Sequence, residues 1–237
     1  MTVHQALLFD MDGVVVDTAA SIAEFWRDLA GAEGVALSDS ELDSDVHGRS
    51  AEHTLATLFP HLARGRYPEV YERMRANQEA LTYAEVPGVS SLLRELTAAR
   101  VPVALVTGAE KFKVVAVLEQ LGLTDTFDAV IGAEDVEAGK PDPASYLAAA
   151  RLLDADVRRC VVFEDAVNGV TAAVAAGARC VGVAAAHQAE RLRSAGAHPV
   201  VPDFRGVTFS AADRTVSLDS STSLPFLPAG RTVASSD

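Results

Sequence analysis

The chain has 237 residues, of which 49% are apolar and 22% charged. That is enough apolar side chain to bury a core without disulfide or metal staples, and it excludes global disorder. A net charge of −13 excludes a nucleic-acid binder that works through a general basic surface, and it argues against docking on an anionic membrane.

Gln5 to Phe9 is a short apolar run ending at Asp10-Met11-Asp12-Gly13. This is the pattern of a buried strand that delivers its C-terminal end to a loop. No basic region, long apolar core or cleavage site precedes it, and no apolar run approaches the ~18 residues of a membrane span, so the expectation is a cytoplasmic protein. From 18 to 84 the pattern turns helical. Ile22, Phe25, Trp26 and Leu29 recur at helical spacing, and a second amphipathic stretch surrounds Val70 to Met74. This predicts a helical insertion with Phe25 and Trp26 in a core of its own. After Pro87-Gly88, helices and apolar strands alternate. Helices are predicted over 89–100, 111–121, 143–153 and 167–176. Strands are predicted over 101–107, 129–131, 160–163, 180–183 and 199–201. Cys160 and Cys180 fall in these strands and read as core thiols. Such alternation predicts an α/β fold, a mostly parallel sheet covered on both faces. A hairpin is expected over 205–219. Beyond 220, Ser, Thr, Pro and Gly dominate and disorder is expected.

Ligands in such sheets bind beyond the carboxyl ends of the strands. Those ends carry Asp10 and Asp12, Thr107-Gly108, Glu134-Asp135 and Glu164-Asp165. Asp10 and Asp12 can converge on one centre, one as nucleophile and the other shuttling a proton. Together they repel unless a cation lies between them, and hard oxygen ligands point to Mg²⁺. Gly13 lets backbone N–H groups approach an anion. Thr107 and Gly108 offer a hydroxyl and an N–H to phosphate, and Lys140, in a prolyl turn that opens a helix, offers a neutralising charge. Taken singly, each feature also reads as a turn, a surface lysine or a helix cap.

Taken together in this order, FDMDGVVVDT at 9–18, VTG at 106–108, GKPDP at 139–143 and FEDAVNGV at 163–170 resemble the haloacid dehalogenase superfamily of phosphotransferases. The insertion after the first motif resembles the cap of its β-phosphoglucomutase-like branch. Segment 23–29, His47-Gly48 and the tail at 204–219 are similar to small-metabolite phosphatases of the glycerol-3-phosphatase and 2-deoxyglucose-6-phosphatase type. The resemblance implies a Rossmann-like core built from 1–17 and 85–204, with a helical cap at 18–84. It implies Asp10 as nucleophile and Asp12 as proton donor and then base. It implies Mg²⁺ held by Asp10, the Asp12 carbonyl and Asp165, with Glu164 in or just behind the ligand set. Thr107, Lys140 and amides near Gly13 and Gly108 would hold the phosphoryl group, and His47, Gly48 and Arg49 would face the substrate, with His53 a further candidate.

This chain departs from its relatives in the cap. Ile22 and Ala51 stand where the mutases carry a histidine and an arginine. The arginine of the phosphatases' His-Gly-x-Arg-Thr is shifted by one residue, in His47-Gly48-Arg49-Ser50-Ala51. The implied function is Mg²⁺-dependent hydrolysis of a small phosphorylated polyol or sugar by a monomer or weak dimer that binds neither nucleic acid nor membrane. A β-phosphoglucomutase-like mutase and a non-catalytic regulator that binds a phosphometabolite are the alternatives.

Overall fold

The apolar run before Asp10 becomes strand β1 (Ala6–Phe9), whose four side chains have no solvent contact in the computed structural model, which describes residues 2–228. The chain then leaves the sheet for four helices, α1 (Ala19–Ala32), α2 (Asp39–Asp45), α3 (Ala51–Leu58) and α4 (Tyr67–Ala80). These bury a cluster of their own, in which Phe25, Trp26, Leu29, Leu55, Phe59 and Val70 meet. Ser38 and Glu41 form a reciprocal capping box that starts α2, and Ser50 caps α3, which fixes where each helix begins. The two connections to the rest of the molecule are paired, with Val16 bridging Glu85 and Val86 N–H donating to Val15 C=O at 3.1 Å.

The remainder is α5 (Val89–Ala98), β2 (Val103–Val106), α6 (Lys111–Leu121), β3 (Ala129–Ile131), α7 (Ala144–Leu152), β4 (Cys160–Glu164), α8 (Val167–Ala176), β5 (Arg179–Val183), α9 (Ala189–Ala195) and β6 (Val200–Val201). The six strands form one parallel sheet in the order β3-β2-β1-β4-β5-β6. In its register Leu8 stands beside Ala104 on one side and Val162 on the other. Leu7 and Phe9 face α5 and α6, where Leu92, Leu93 and Val117 pack, whereas Ala6 and Leu8 face Tyr146, Ala149 and Val170 of α7 and α8. Both faces are covered, so the strands are apolar without alternation. The expected α/β architecture is the one the chain adopts. Cys160 and Cys180 are both buried and free.

The tail differs from expectation. β7 (Thr208–Ser210) and β8 (Thr215–Ser217) form a hairpin, and β9 (Ser223–Pro225) adds a third antiparallel strand in the region read as disordered. Leu224 and Phe226, two apart on one face of the strand, are buried in the same cluster as Leu7 and Phe9, which offsets the cost of ordering the segment. His4 N–H donates to Pro225 C=O at 2.7 Å and Leu227 N–H to His4 C=O at 3.0 Å, which ties this strand to the start of β1. The rest of the segment expected to be disordered, 229–237, lies outside the described residues. Among the described residues no helix is long and apolar enough to cross a membrane.

Candidate active site

Parallel pairing brings the carboxyl ends of β1, β4 and β2 side by side, and the polar residues that follow them converge. Asp10 N–H continues the ladder to Phe163 C=O at 3.0 Å, and Thr107 N–H to Ile131 C=O at 2.9 Å. Both side chains therefore leave the sheet from fixed backbone. Lys140, on the loop before α7, reaches back over these ends. Its Nζ donates to Asp10 Oδ1 at 2.5 Å, to Glu164 Oε1 at 2.6 Å and to Val106 C=O at 3.0 Å. Glu164 is buried behind it, with Oε1 also accepting from Tyr146 Oη at 2.8 Å and Oε2 from Ala166 N–H at 3.1 Å. Both Glu164 oxygens are thus engaged in holding Lys140 and the turn after β4. Burial works against the Lys140 ammonium, but Asp10 and Glu164 outweigh it and raise its pKa.

Burial, reinforced by Glu164 and Asp12, pushes the Asp10 carboxyl up to about 7 despite Lys140. Asp165 is raised well above the usual carboxylate range, by burial first and then by Glu164, Asp10 and Asp12. Among the described residues no donor reaches the Asp165 carboxylate, yet it is packed so tightly that a Cβ on Gly13 (φ +77°) would collide with its Oδ2. Oxygens of Asp10, Glu164 and Asp165 lie within 4.8 Å of one another. Four carboxylates, counting Asp12, face two ammonium groups, Lys140 and Lys113. A hard oxygen donor set with surplus negative charge fits a divalent cation such as Mg²⁺.

Thr107 is buried, its Oγ1 accepting from Ala109 N–H at 3.0 Å, which leaves its hydroxyl proton free for an anion. Gly108 is exposed beside it. Above Asp165 lies a cleft of about 490 Å³ between the helical insertion and the sheet. His47, Arg49, Asp43, Gln188 and Arg191 line it together with Gly13 and Asp165. Gly48 (φ +69°) rests on Ala166, where a Cβ would collide, and its C=O accepts from Asn168 Nδ2 at 2.8 Å. Burial, followed by Arg191 and Arg27, lowers the His47 pKa although Asp43 opposes them.

A family model described as a haloacid dehalogenase-like hydrolase matches residues 4–177, which contain all of these groups except Arg191 and Gln188. The chain belongs to the haloacid dehalogenase-like hydrolases. It is 33% identical over 201 residues to validoxylamine A 7′-phosphate phosphatase of Streptomyces hygroscopicus subsp. limoneus, covering 81% of this chain and 91% of that one. It is 35% identical over 188 residues to fructose-1-phosphate phosphatase of Escherichia coli, covering 76% and 96%. Among solved structures, a haloacid dehalogenase family hydrolase from Deinococcus radiodurans with bound phosphate and sodium is similar at 30% identity and a TM-score of 0.68, covering 85% of this chain and 92% of that one.

In this hydrolase, Asp10, Thr107, Lys140, Glu164 and Asp165 gather at one end of the sheet, with Asp12 and Gly13 on the loop above it. His47, Gly48 and Arg49 sit over the Asp165 side. His53 does not join them, because its Nε2 pairs with Asp45 Oδ1 at 3.1 Å within the insertion. Glu134 and Asp135 also stay apart. Their carboxylates accept from Lys111 N–H and Gly132 N–H at 3.0 and 2.8 Å, so they serve to fix loops. Sequence reasoning missed Lys113, Thr18, Tyr146 and Arg191. Only Thr18 carried a signal, as the last residue of the first motif.

Proposed function

We propose that this hydrolase is a Mg²⁺-dependent phosphatase of a small phosphorylated polyol or sugar. The observation that carries it is the convergence at one end of the sheet of a carboxylate pinned by a lysine, Asp10 with Lys140, and a carboxylate that no donor reaches among the described residues, Asp165. The relative named as a fructose-1-phosphate phosphatase supports the substrate class. Asp10, Asp165 and the Asp12 carbonyl would hold the cation, with Glu164 bracing them. When bound, Mg²⁺ supplies neutralisation of the phosphoryl charge. Lys140, the Thr107 hydroxyl and the amides near Gly13 and Gly108 orient the phosphoryl oxygens. A carboxylate oxygen of Asp10 attacks phosphorus as the bond to the alcohol oxygen breaks, and Asp12 gives that oxygen its proton. Asp12 then takes a proton from water as the water oxygen attacks phosphorus, releasing phosphate and restoring Asp10.

Phosphate release measured across glycerol 3-phosphate, 2-deoxyglucose 6-phosphate, fructose 1-phosphate and glucose 1-phosphate tests this reading. Stoichiometric phosphate from at least one polyol or sugar phosphate is expected, with kcat falling on the order of 10⁴-fold or more in a folded Asp10→Asn variant. Isomerised sugar phosphate without free phosphate, or normal turnover by that variant, refutes it.

A further inference from the structure

Two donors meet on one oxygen of Asp12. Lys113 Nζ donates to Oδ1 at 2.6 Å and Thr18 Oγ1 donates to the same atom at 2.5 Å. Among the described residues Oδ2 has no partner. The Asp12 side chain is 28% exposed, whereas that of Lys113 is 5% exposed. Lys113 lies on the first turn of α6, next to Val114 and one turn before Val117, both of which are packed in the core. An ammonium group in that setting requires an anionic partner, and Asp12 is the one it has. Lys140, the other buried lysine of the site, is occupied by Asp10 and Glu164 and leaves Asp12 alone.

We infer that Lys113 is a positioning residue: with Thr18 it clamps Oδ1 of Asp12, so that Oδ2 alone is presented to the oxygen of the departing alcohol. The inference rests on the phosphatase reading above. A free carboxylate turns about its terminal torsion over a broad range. Proton transfer, however, requires approach to hydrogen-bond length along a fixed direction. An ammonium group and a hydroxyl group on the same oxygen remove that rotation and leave Oδ2 as the one oxygen from which the proton is given and to which it returns. Both clamps sit on rigid elements, Lys113 on α6 and Thr18 at the start of α1. The hydrogen bond that the Lys113 Nζ makes goes to Asp12, so its assigned role is to hold that carboxylate.

The test compares wild type with Lys113→Met, Lys113→Arg and Thr18→Val, in Mg²⁺, on the best alkyl phosphate of the panel and on 4-nitrophenyl phosphate. Nitrophenolate departs without a proton and an alkoxide does not. The parameter compared is kcat/KM, which reads transfer to Asp10 and not the later water step. In Lys113→Met it should fall about 100-fold on the alkyl ester and stay within about three-fold on the nitrophenyl ester, with Lys113→Arg recovering most of the loss. Thr18→Val should show the same selectivity to a smaller degree. An equal fall on both esters, or no fall on either, overturns the inference. A crystal structure of Lys113→Met gives an answer independent of turnover. A rotated or multiply placed Asp12 carboxylate is expected, and an unchanged carboxylate overturns the clamp. If wild type releases phosphate from neither ester, the phosphatase reading fails, and the crystal comparison still decides whether Lys113 holds Asp12.

Discussion

Asp165 stands apart from the other carboxylates of the site because, among the described residues, no donor reaches it and Lys140 offsets its charge only from a distance. Asp10, at about 7, and Asp165, raised well above its ordinary range, both bind protons more readily in the folded chain than in the unfolded one. A group with a raised folded pKa contributes stability that is complete below its unfolded value and lost as pH rises through its folded value. For Asp10 that loss runs from its ordinary 3.8 up through about 7. The metal-free protein should therefore melt at a lower temperature at pH 8 than at pH 6. Mg²⁺ should restore more at pH 8, where it no longer competes with protons for the carboxylates. Calorimetry with EDTA and with Mg²⁺ at the two pH values checks this, and a melting temperature indifferent to Mg²⁺ at pH 8 would count against the cation site. At this scale much of the site was legible. Asp10, Thr107, Lys140 and Asp165 each follow a strand or open a helix, and strand ends are where a parallel sheet gathers ligands. Lys113 was not legible, because in Lys111-Phe112-Lys113 it reads as one of two helix-surface lysines. Only the approach of the loop bearing Asp12 buries it and gives it a partner.

The third strand of the C-terminal sheet, β9, is the element that composition concealed. Three-residue strands in a Ser- and Thr-rich segment are too short for an alternation signal, and the apolar pair Leu224 and Phe226 counts for little in an average over the tail. Those two side chains are nevertheless buried, and Phe226 also lies against His4, with ring centroids 5.7 Å apart. Phe226→Ala should lower stability by about 3 kcal/mol, the lower end for a core phenylalanine. His4 precedes β1 and Asp10 follows it, so the defect lies at the far end of the strand from the chemistry. Denaturant unfolding should show the loss, while kcat on the preferred substrate stays unchanged at a temperature where the variant is folded. A change in kcat as large as the change in stability would contradict that separation.

For the molecule as a whole, the helical insertion and the sheet each bury a core of their own and touch largely through polar groups. Arg191 of α9 pairs with Asp43 of α2 at 2.6 Å, with side chains 43% and 38% exposed, and Asn168 holds the Gly48 carbonyl. An exposed pair of that kind contributes about 0–1 kcal/mol, so this contact ties the insertion to the sheet only weakly. Arg191→Ala should leave the melting temperature nearly unmoved while hydrogen exchange across 39–48 quickens and KM rises for sugar phosphates. Unaltered exchange in that segment would show that other contacts hold the insertion. The existence of the insertion was legible from its helical period. Its seating over Asp165 was not, because Arg191 carries no pattern and the motifs that contain Gly48 and Asn168 do not say that the two meet.

The order of the strands also dictates a sequence in time. β1 has its partners at 103–105 and 160–163, so the strand made first must wait for most of the chain before it can pair. The insertion, by contrast, closes its own core within 19–80 and crosses only short loops to do so. The helical unit is therefore the early, locally driven event of folding, and the centre of the sheet is a late one. Asp10 comes from β1, Lys140 from the loop before α7 and Asp165 from the end of β4, so they meet only when that last pairing occurs. A nascent or partly folded chain on this order has the helices before Asp10, Lys140 and Asp165 come together, and the candidate site arrives in one step with the closing of the sheet.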